Sequence, residues 1–193
     1  IVEKCWDANV WPKYNEWVSS FVENKLKTQL SIQVTEFYKR SLAVALNNTG
    51  YFYNHNKGEI LIALEYYHKS LKIKEELGEQ EGVANSLNNI GSIYRSQGDI
   101  PRALEYYHKS LKIQEEIGSN RGLAYSLNNI GTIYENQNDI PKALDYFNQS
   151  LKFQEELGDK MGIAYALGNI GSVYQKEENY NEAIIYYHKA LKL

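Results

Sequence analysis

The stretch SLNNIGSIY at residues 86–94 returns as SLNNIGTIY at residues 126–134, with looser copies ALNNTGYFY at 45–53 and ALGNIGSVY at 166–174. Its marker glycines, Gly50, Gly91, Gly131 and Gly171, are spaced by 41, 40 and 40 residues. A second block follows each marker: ALEYYHKSLKI at 63–73 and 103–113, ALDYFNQSLKF at 143–153 and AIIYYHKALKL at 183–193. Repetition at a fixed period of this size is the signature of a stacked repeat architecture, in which each unit buries its apolar face only against its neighbours.

One unit reads as two helices. Leu87, Ile90, Gly91 and Tyr94 lie at i, i+3, i+4 and i+7, one face of an amphipathic helix. Ile100, Ala103, Leu104, Tyr107 and Leu111 form a second such face. Between them Gly98 breaks the first helix, Asp99 is an N-cap, and Pro101 fits a first helical turn. Ile117-Gly118, Leu77-Gly78 and Leu157-Gly158 end the second helices, with glycine where a left-handed C-cap is wanted. Gly91 and Ala103 fall where the helices approach most closely, roughly 8–10 Å between axes. A large residue is excluded at Ala103, whereas a β-carbon at Gly91 is expected to be tolerated.

The bulk numbers exclude more than they identify. The chain has 193 residues, a net charge of −3 and one cysteine, Cys5. No basic stripe marks a nucleic-acid partner. An internal disulfide and a cysteine-rich zinc site are excluded. No apolar run approaches the ~20 residues of a membrane span. None of the motifs G-x-G-x-x-G, G-x-x-x-x-G-K-[ST] or H-E-x-x-H is present. His68, His108 and His188 share one repeat position and read as surface residues, not metal ligands; no cofactor is expected. Pairs such as Glu65/Lys69, Glu105/Lys109 and Lys112/Glu116 mark a solvated helix face.

In the third unit, Leu127, Ile130, Gly131, Tyr134, Ala143, Phe147 and Ser150 together resemble the tetratricopeptide-repeat signature. The pattern departs from the family in three ways: leucine replaces its tryptophan, Ser70, Ser110 and Ser150 replace its second alanine, and the period exceeds the usual ~34 residues. The longer period is similar to that of kinesin light chains, Leu-Gly-Asn-type polarity adaptors and bacterial regulators. The resemblance implies an all-α, right-handed α-solenoid of four helical hairpins, with repeats at about 41–79, 80–119, 120–159 and 160–193, and residues 1–40 as an N-terminal helical cap or a linker. It also implies a non-enzymatic interaction module whose first helices line a concave groove.

Asparagine is a mediocre helix former, so its recurrence inside the marker block calls for a reason. Asn48, Asn89, Asn129 and Asn169 stand in all four units, preceded by Asn47, Asn88 and Asn128 in three and Gly168 in the fourth. They lie off the Leu87/Ile90/Tyr94 stripe. By the resemblance they face the groove, with Val44, Asn85, Tyr125 and Tyr165 one turn earlier and Tyr51, Ser92, Thr132 and Ser172 after them. Two readings stay open. Each amide bonds to a neighbouring unit and fixes the stacking, or the row holds the backbone of an extended peptide, with Tyr125, Tyr165 and Arg95 adding selectivity. Arg95 and Lys176 alone make an incomplete clamp for a chaperone's C-terminal carboxylate, so that partner is not expected.

Trp6, Trp11 and Trp17 all fall in the first forty residues, where Pro12 starts a predicted helix to about Thr28 and Ser31–Arg40 leads into the first repeat. The chain starts without Met and stops inside a repeating block, so it reads as a fragment of a longer protein. Ile184, Ile185, Tyr187 and Leu191 are left uncovered at that end, which points to a homodimer or to a sensory or dimerisation segment of a larger signalling protein, such as a bacterial kinase or transcription regulator. A cytoplasmic location is the expectation, with a protein or peptide as partner.

Overall fold

The computed structural model describes residues 11–26 and 32–193; Cys5, Trp6 and Thr28 lie outside them. The elements are α1 (Trp11–Leu26), α2 (Ile32–Phe52), a π-helical turn (Tyr53–Lys57), α3 (Ile60–Glu76), α4 (Gln80–Ser96), α5 (Ile100–Ile117), α6 (Asn120–Asn136), α7 (Ile140–Leu157), α8 (Lys160–Lys176) and α9 (Tyr180–Leu191). The repeats are therefore helix pairs. They fall into two compact units, Ile1–Ile93 and Tyr94–Leu193.

Local chemistry sets the helix ends. Asp99, Asp139 and Asn179 cap α5, α7 and α9 by accepting from the backbone N–H three residues on. Ser119 and Asp159 do the same for α6 and α8. Gly78, Gly118 and Gly158 follow the second helices at φ of 68°, 66° and 64°, the left-handed backbone that glycine adopts without penalty. The residue added between Gly50 and Gly58 is absorbed by the π-helical turn, whose wider ring takes up one residue without ending the helix. The device preserves a recurrent contact. Tyr53 stacks on Tyr66 at 5.6 Å, as Tyr94 does on Tyr106, Tyr134 on Tyr146 and Tyr174 on Tyr186 at 5.4–5.5 Å. A cation covers a ring of each pair: Lys69, Arg102, Lys142 and Lys189.

In the first unit, Val22 of α1 packs on Leu42 and Leu46 of α2. Ser70 of α3 is fully buried and its hydroxyl donates to the Ala43 carbonyl of α2 at 2.7 Å. In the second unit Ser150 donates to the Ala124 carbonyl at 2.8 Å. The serines that replace the family's second alanine thus bond one helix of a pair to the backbone of the other. Ala103 and Tyr107 of α5 pack on Ile130 and Ile133 of α6, and Ala143 and Phe147 of α7 on Ile170 and Val173 of α8. All eight are fully buried.

The tolerance expected for a β-carbon at Gly91 does not extend to the later marker glycines. A β-carbon at Gly131 meets Phe147 Cε1 at 2.7 Å, and one at Gly171 meets Tyr187 Cε1 at 2.7 Å. At Gly50 the ring of Tyr67 and the Ala63 carbonyl both stand at 3.1 Å. The glycine is a seat for the aromatic ring of the second helix. The position two turns beyond that ring is also specialised. Gln114 and Gln154 lie over Gly122 and Gly162, and Lys74 takes that place over Gly82. Lys74 is buried and donates to the Ser86 hydroxyl at 2.8 Å.

Two outcomes follow. Gly131→Ala gains about 1 kcal/mol of helix propensity but overpacks a fully buried ring at a cost of about 1–3 kcal/mol. Urea unfolding is therefore expected to show a net loss, and in a Phe147→Leu background the same change is expected to stabilise. Burial lowers the pKa of Lys74 below its ordinary value of 10.5, with Glu79 opposing the shift. Between the lowered folded value and the unfolded one, the unfolded chain binds more protons, so this group makes stability rise with pH. Lys74→Gln, which copies Gln114 and Gln154, is expected to abolish that rise between neutral pH and pH 10.5, measured as thermal midpoint against pH.

Candidate functional site

Helical periodicity places position 44 and its repeats one turn before the asparagines, on the same face of the first helices. Those residues stand out from the surface: Val44 is 56 % exposed, Tyr125 54 % and Tyr165 65 %. Asn85 is exposed too. The second asparagines, Asn48, Asn89, Asn129 and Asn169, are half-buried. Asn88 and Asn128, grouped with the binding residues in the sequence reading, are instead buried, at 1 % and 7 % exposure. They sit one residue before the row and turn toward the core, so they offer a ligand no surface.

Within each unit the two kinds of asparagine are bonded to each other. Asn89 Nδ2 donates to Asn47 Oδ1 at 3.1 Å in the first unit. Asn169 Nδ2 donates to Asn128 Oδ1 at 2.6 Å in the second. The second asparagine of one repeat thus reaches the first asparagine of an earlier one. An Asn amide has two N–H groups and an oxygen, so each bond leaves Asn89 and Asn169 with a further donor and an acceptor. Asn129 Nδ2 is buried without a hydrogen-bond partner.

In the second unit α6 and α8 lie side by side. Together they present Tyr125 and Tyr165, then Asn129 and Asn169, then Thr132 and Ser172. The hydroxyl of Thr132 donates to the Asn128 carbonyl at 3.0 Å. Ser172 donates to Glu135 Oε1 at 2.8 Å, and Lys176 Nζ donates to the Glu135 carbonyl at 2.8 Å. Glu135 is 9 % exposed and occupies the repeat position of Arg95, which is half-buried. The sequence reading counted Lys176 as a groove cation; its ammonium is engaged on α6. It missed the Glu135–Ser172 pair, for which the one signal was that this position changes from Arg95 to Glu135 to Gln175 along the chain. His68, His108 and His188 are exposed. Among the described residues no three His, Cys, Asp or Glu side chains converge as a metal site, and no helix is long and apolar enough to cross a membrane.

The Asn128–Asn169 bond predicts a pairwise coupling. In urea unfolding, Asn169→Ala is expected to cost about 1 kcal/mol, the usual net value of one such bond. Paired with Asn128→Ala, the two costs are expected to be less than additive by about 0.5–1.5 kcal/mol.

The tetratricopeptide-repeat family model matches residues 41–116 and 82–156, and a second model of the same repeat matches residues 164–193. No curated protein matches the chain in sequence. Several solved structures share the fold. BtubC (BKLC) from P. vanneervenii has a TM-score of 0.77 and 21 % identity, covering 98 % of this chain and 74 % of that one. The nearly identical tetratricopeptide-like repeats of a putative kinesin light chain from Podosopora anserina give a TM-score of 0.64 and 16 % identity over 96 % of this chain and 90 % of that one. A Rap protein complexed with Competence and Sporulation Factor gives a TM-score of 0.71 and 18 % identity over 94 % of this chain, which spans 51 % of the Rap chain. At these identities the likeness establishes the all-α repeat-solenoid fold. The family matches cover well over half of the residues, and the chain belongs to the tetratricopeptide-repeat family.

Proposed function

We propose that the chain is a non-enzymatic protein-interaction module, and that the asparagine rows of its first helices hold an extended peptide backbone. The observation that carries this reading is the company the asparagines keep in the second unit. Tyr125 and Tyr165 are more than half exposed, one turn from Asn129 and Asn169 on adjacent helices. Exposed tyrosines supply contact area with little rotamer entropy to lose, which is why they recur among residues that dominate binding. An extended peptide presents one N–H and one C=O per residue, and the Asn169 amide, beyond its bond to Asn128, has a donor and an acceptor to match them. In the first unit Asn48, Asn85 and Asn89 form the corresponding row. Arg95 adds a positive charge at the end of α4. The Rap structure, complexed with Competence and Sporulation Factor, supports the reading only as a fold of the same class in a complex.

A second reading concerns self-association. Ile184, Ile185 and Leu191 of α9 are 54 %, 45 % and 82 % exposed, and a second copy is one partner able to cover them. Sedimentation of the chain separates this from peptide capture: a strict monomer at high concentration removes it, and Ile184→Glu dissociates any dimer built on that face.

The primary test uses peptides selected on the intact chain from a random displayed library. Tyr125→Ala combined with Tyr165→Ala changes only exposed side chains, so the thermal midpoint is expected to hold. Peptide affinity is expected to fall at least tenfold, about 1.4 kcal/mol. Unchanged affinity in a folded double variant removes the second unit's row from the binding surface.

A further inference from the structure

In the first unit a recess of about 450 Å³ lies between α1 and α2, within the ~300–1,000 Å³ of small-ligand clefts. Tyr14 and Val18 of α1 and Phe37 and Val44 of α2 give it apolar walls. Asn15 and Asn48 also line it. Asn15 is 2 % exposed, and its Nδ2 is buried with no hydrogen-bond partner. A buried donor left unmade is costly, and native structures keep few of them without a reason. Two other polar groups at the rim are already engaged. Arg40 pairs with Glu79 Oε1 at 3.0 Å, and the Ser41 hydroxyl donates to the Phe37 carbonyl at 3.0 Å. The unmet demand of the recess is therefore for a neutral acceptor beside an apolar group. A free carboxylate finds its cation already balanced there.

We infer that this recess takes a bulky apolar side chain of a bound peptide, with a backbone carbonyl of the same residue accepting from Asn15 Nδ2. The inference rests on the peptide reading above and extends it. Asn48 belongs both to the recess and to the asparagine row, whose next rung is the bond from Asn89 to Asn47. A peptide along the first unit's row thus ends in an anchor pocket at α1. Specificity follows from the anchor, since the asparagine row reads backbone and ignores side chains. An internal apolar residue is expected to bind in preference to one bearing a free C-terminal carboxylate.

N-acetyl-phenylalaninamide is the probe: one apolar side chain, a carbonyl on each side and no charge. Titrated into the full chain at millimolar concentration, it is expected to shift the side-chain amide pair of Asn15 in a nitrogen–proton correlation spectrum and to saturate. N-acetyl-phenylalanine, with its carboxylate, is expected to bind several-fold more weakly. Asn15→Leu removes the donor and is expected to weaken the amide probe at least tenfold while leaving the thermal midpoint equal or higher. Val44→Lys, at an exposed lip, keeps the core intact and is expected to block the recess. No shift at Asn15, or a shift that survives both variants, overturns the proposal. So does a large fall in the midpoint of Asn15→Leu, which assigns the amide to the fold. Asn15 amide protons protected from exchange in the free protein show a recess already filled, by the chain itself or by a second copy, and overturn it too. The affinity of Asn89→Ala for a library-selected peptide is measured beside the probe's: a saturable probe shift with unchanged peptide affinity removes the row and keeps the anchor, so the two are scored separately.

Discussion

An aromatic ring lying on a helix where there is no side chain is the contact on which the rest of this fold depends. Phe147 occupies the space of a Gly131 β-carbon, and Tyr187 that of Gly171. Each ring finds room only because the partner helix carries hydrogen at that point. The distance between the helices is thereby fixed, and with it the register of everything else on them. The buried serine hydroxyls bond to the facing backbone of the same pairs, and the tyrosine stacks close over the turn. The π-helical turn after α2 shows how strongly this register is held. One extra residue is wound into a wider ring, and the Tyr53–Tyr66 stack survives.

Register is what gives the asparagines their meaning. A mid-helix asparagine is mildly unfavourable by itself. Repeated at constant register on adjacent helices, it brings one amide within bonding distance of another, and the fold recovers a hydrogen bond between repeats. The two readings of the row therefore describe different atoms of the same side chains. At Asn89 and Asn169 one N–H serves the stack, which leaves each amide a further donor and an acceptor. The first asparagine of each pair, buried at Asn88 and Asn128, has crossed wholly to the structural side.

Most of the fold was legible in the sequence because its causes are local. The 3.6-residue stripe of Leu87, Ile90 and Tyr94, the Asp99 and Asp139 caps and the glycines after Ile117 and Leu157 each act within a few residues of chain. Repetition then carried one reading to every unit. What escaped depends on packing between distant residues. The intolerance at Gly131 comes from the ring sixteen positions later. The recess at Asn15 escaped because α1 belongs to no repeat, and no periodicity reports how a lone helix lies against its neighbour. The Glu135–Ser172 contact was hidden for the opposite reason: it sits where the repeat varies, and its partners lie 37 residues apart.

The central claim is that Asn89 and Asn169 each spend one amide proton on the fold and keep the other for a ligand. Hydrogen exchange of the two side-chain amide protons of Asn89 and of Asn169, resolved individually in the free protein, tests it most directly. The account predicts one slow and one fast proton on each residue, the slow one being the proton bonded to Asn47 or to Asn128. Two equally fast protons would show that the bonds between repeats are absent in solution. Two equally slow ones would show that nothing is left for a peptide to bind.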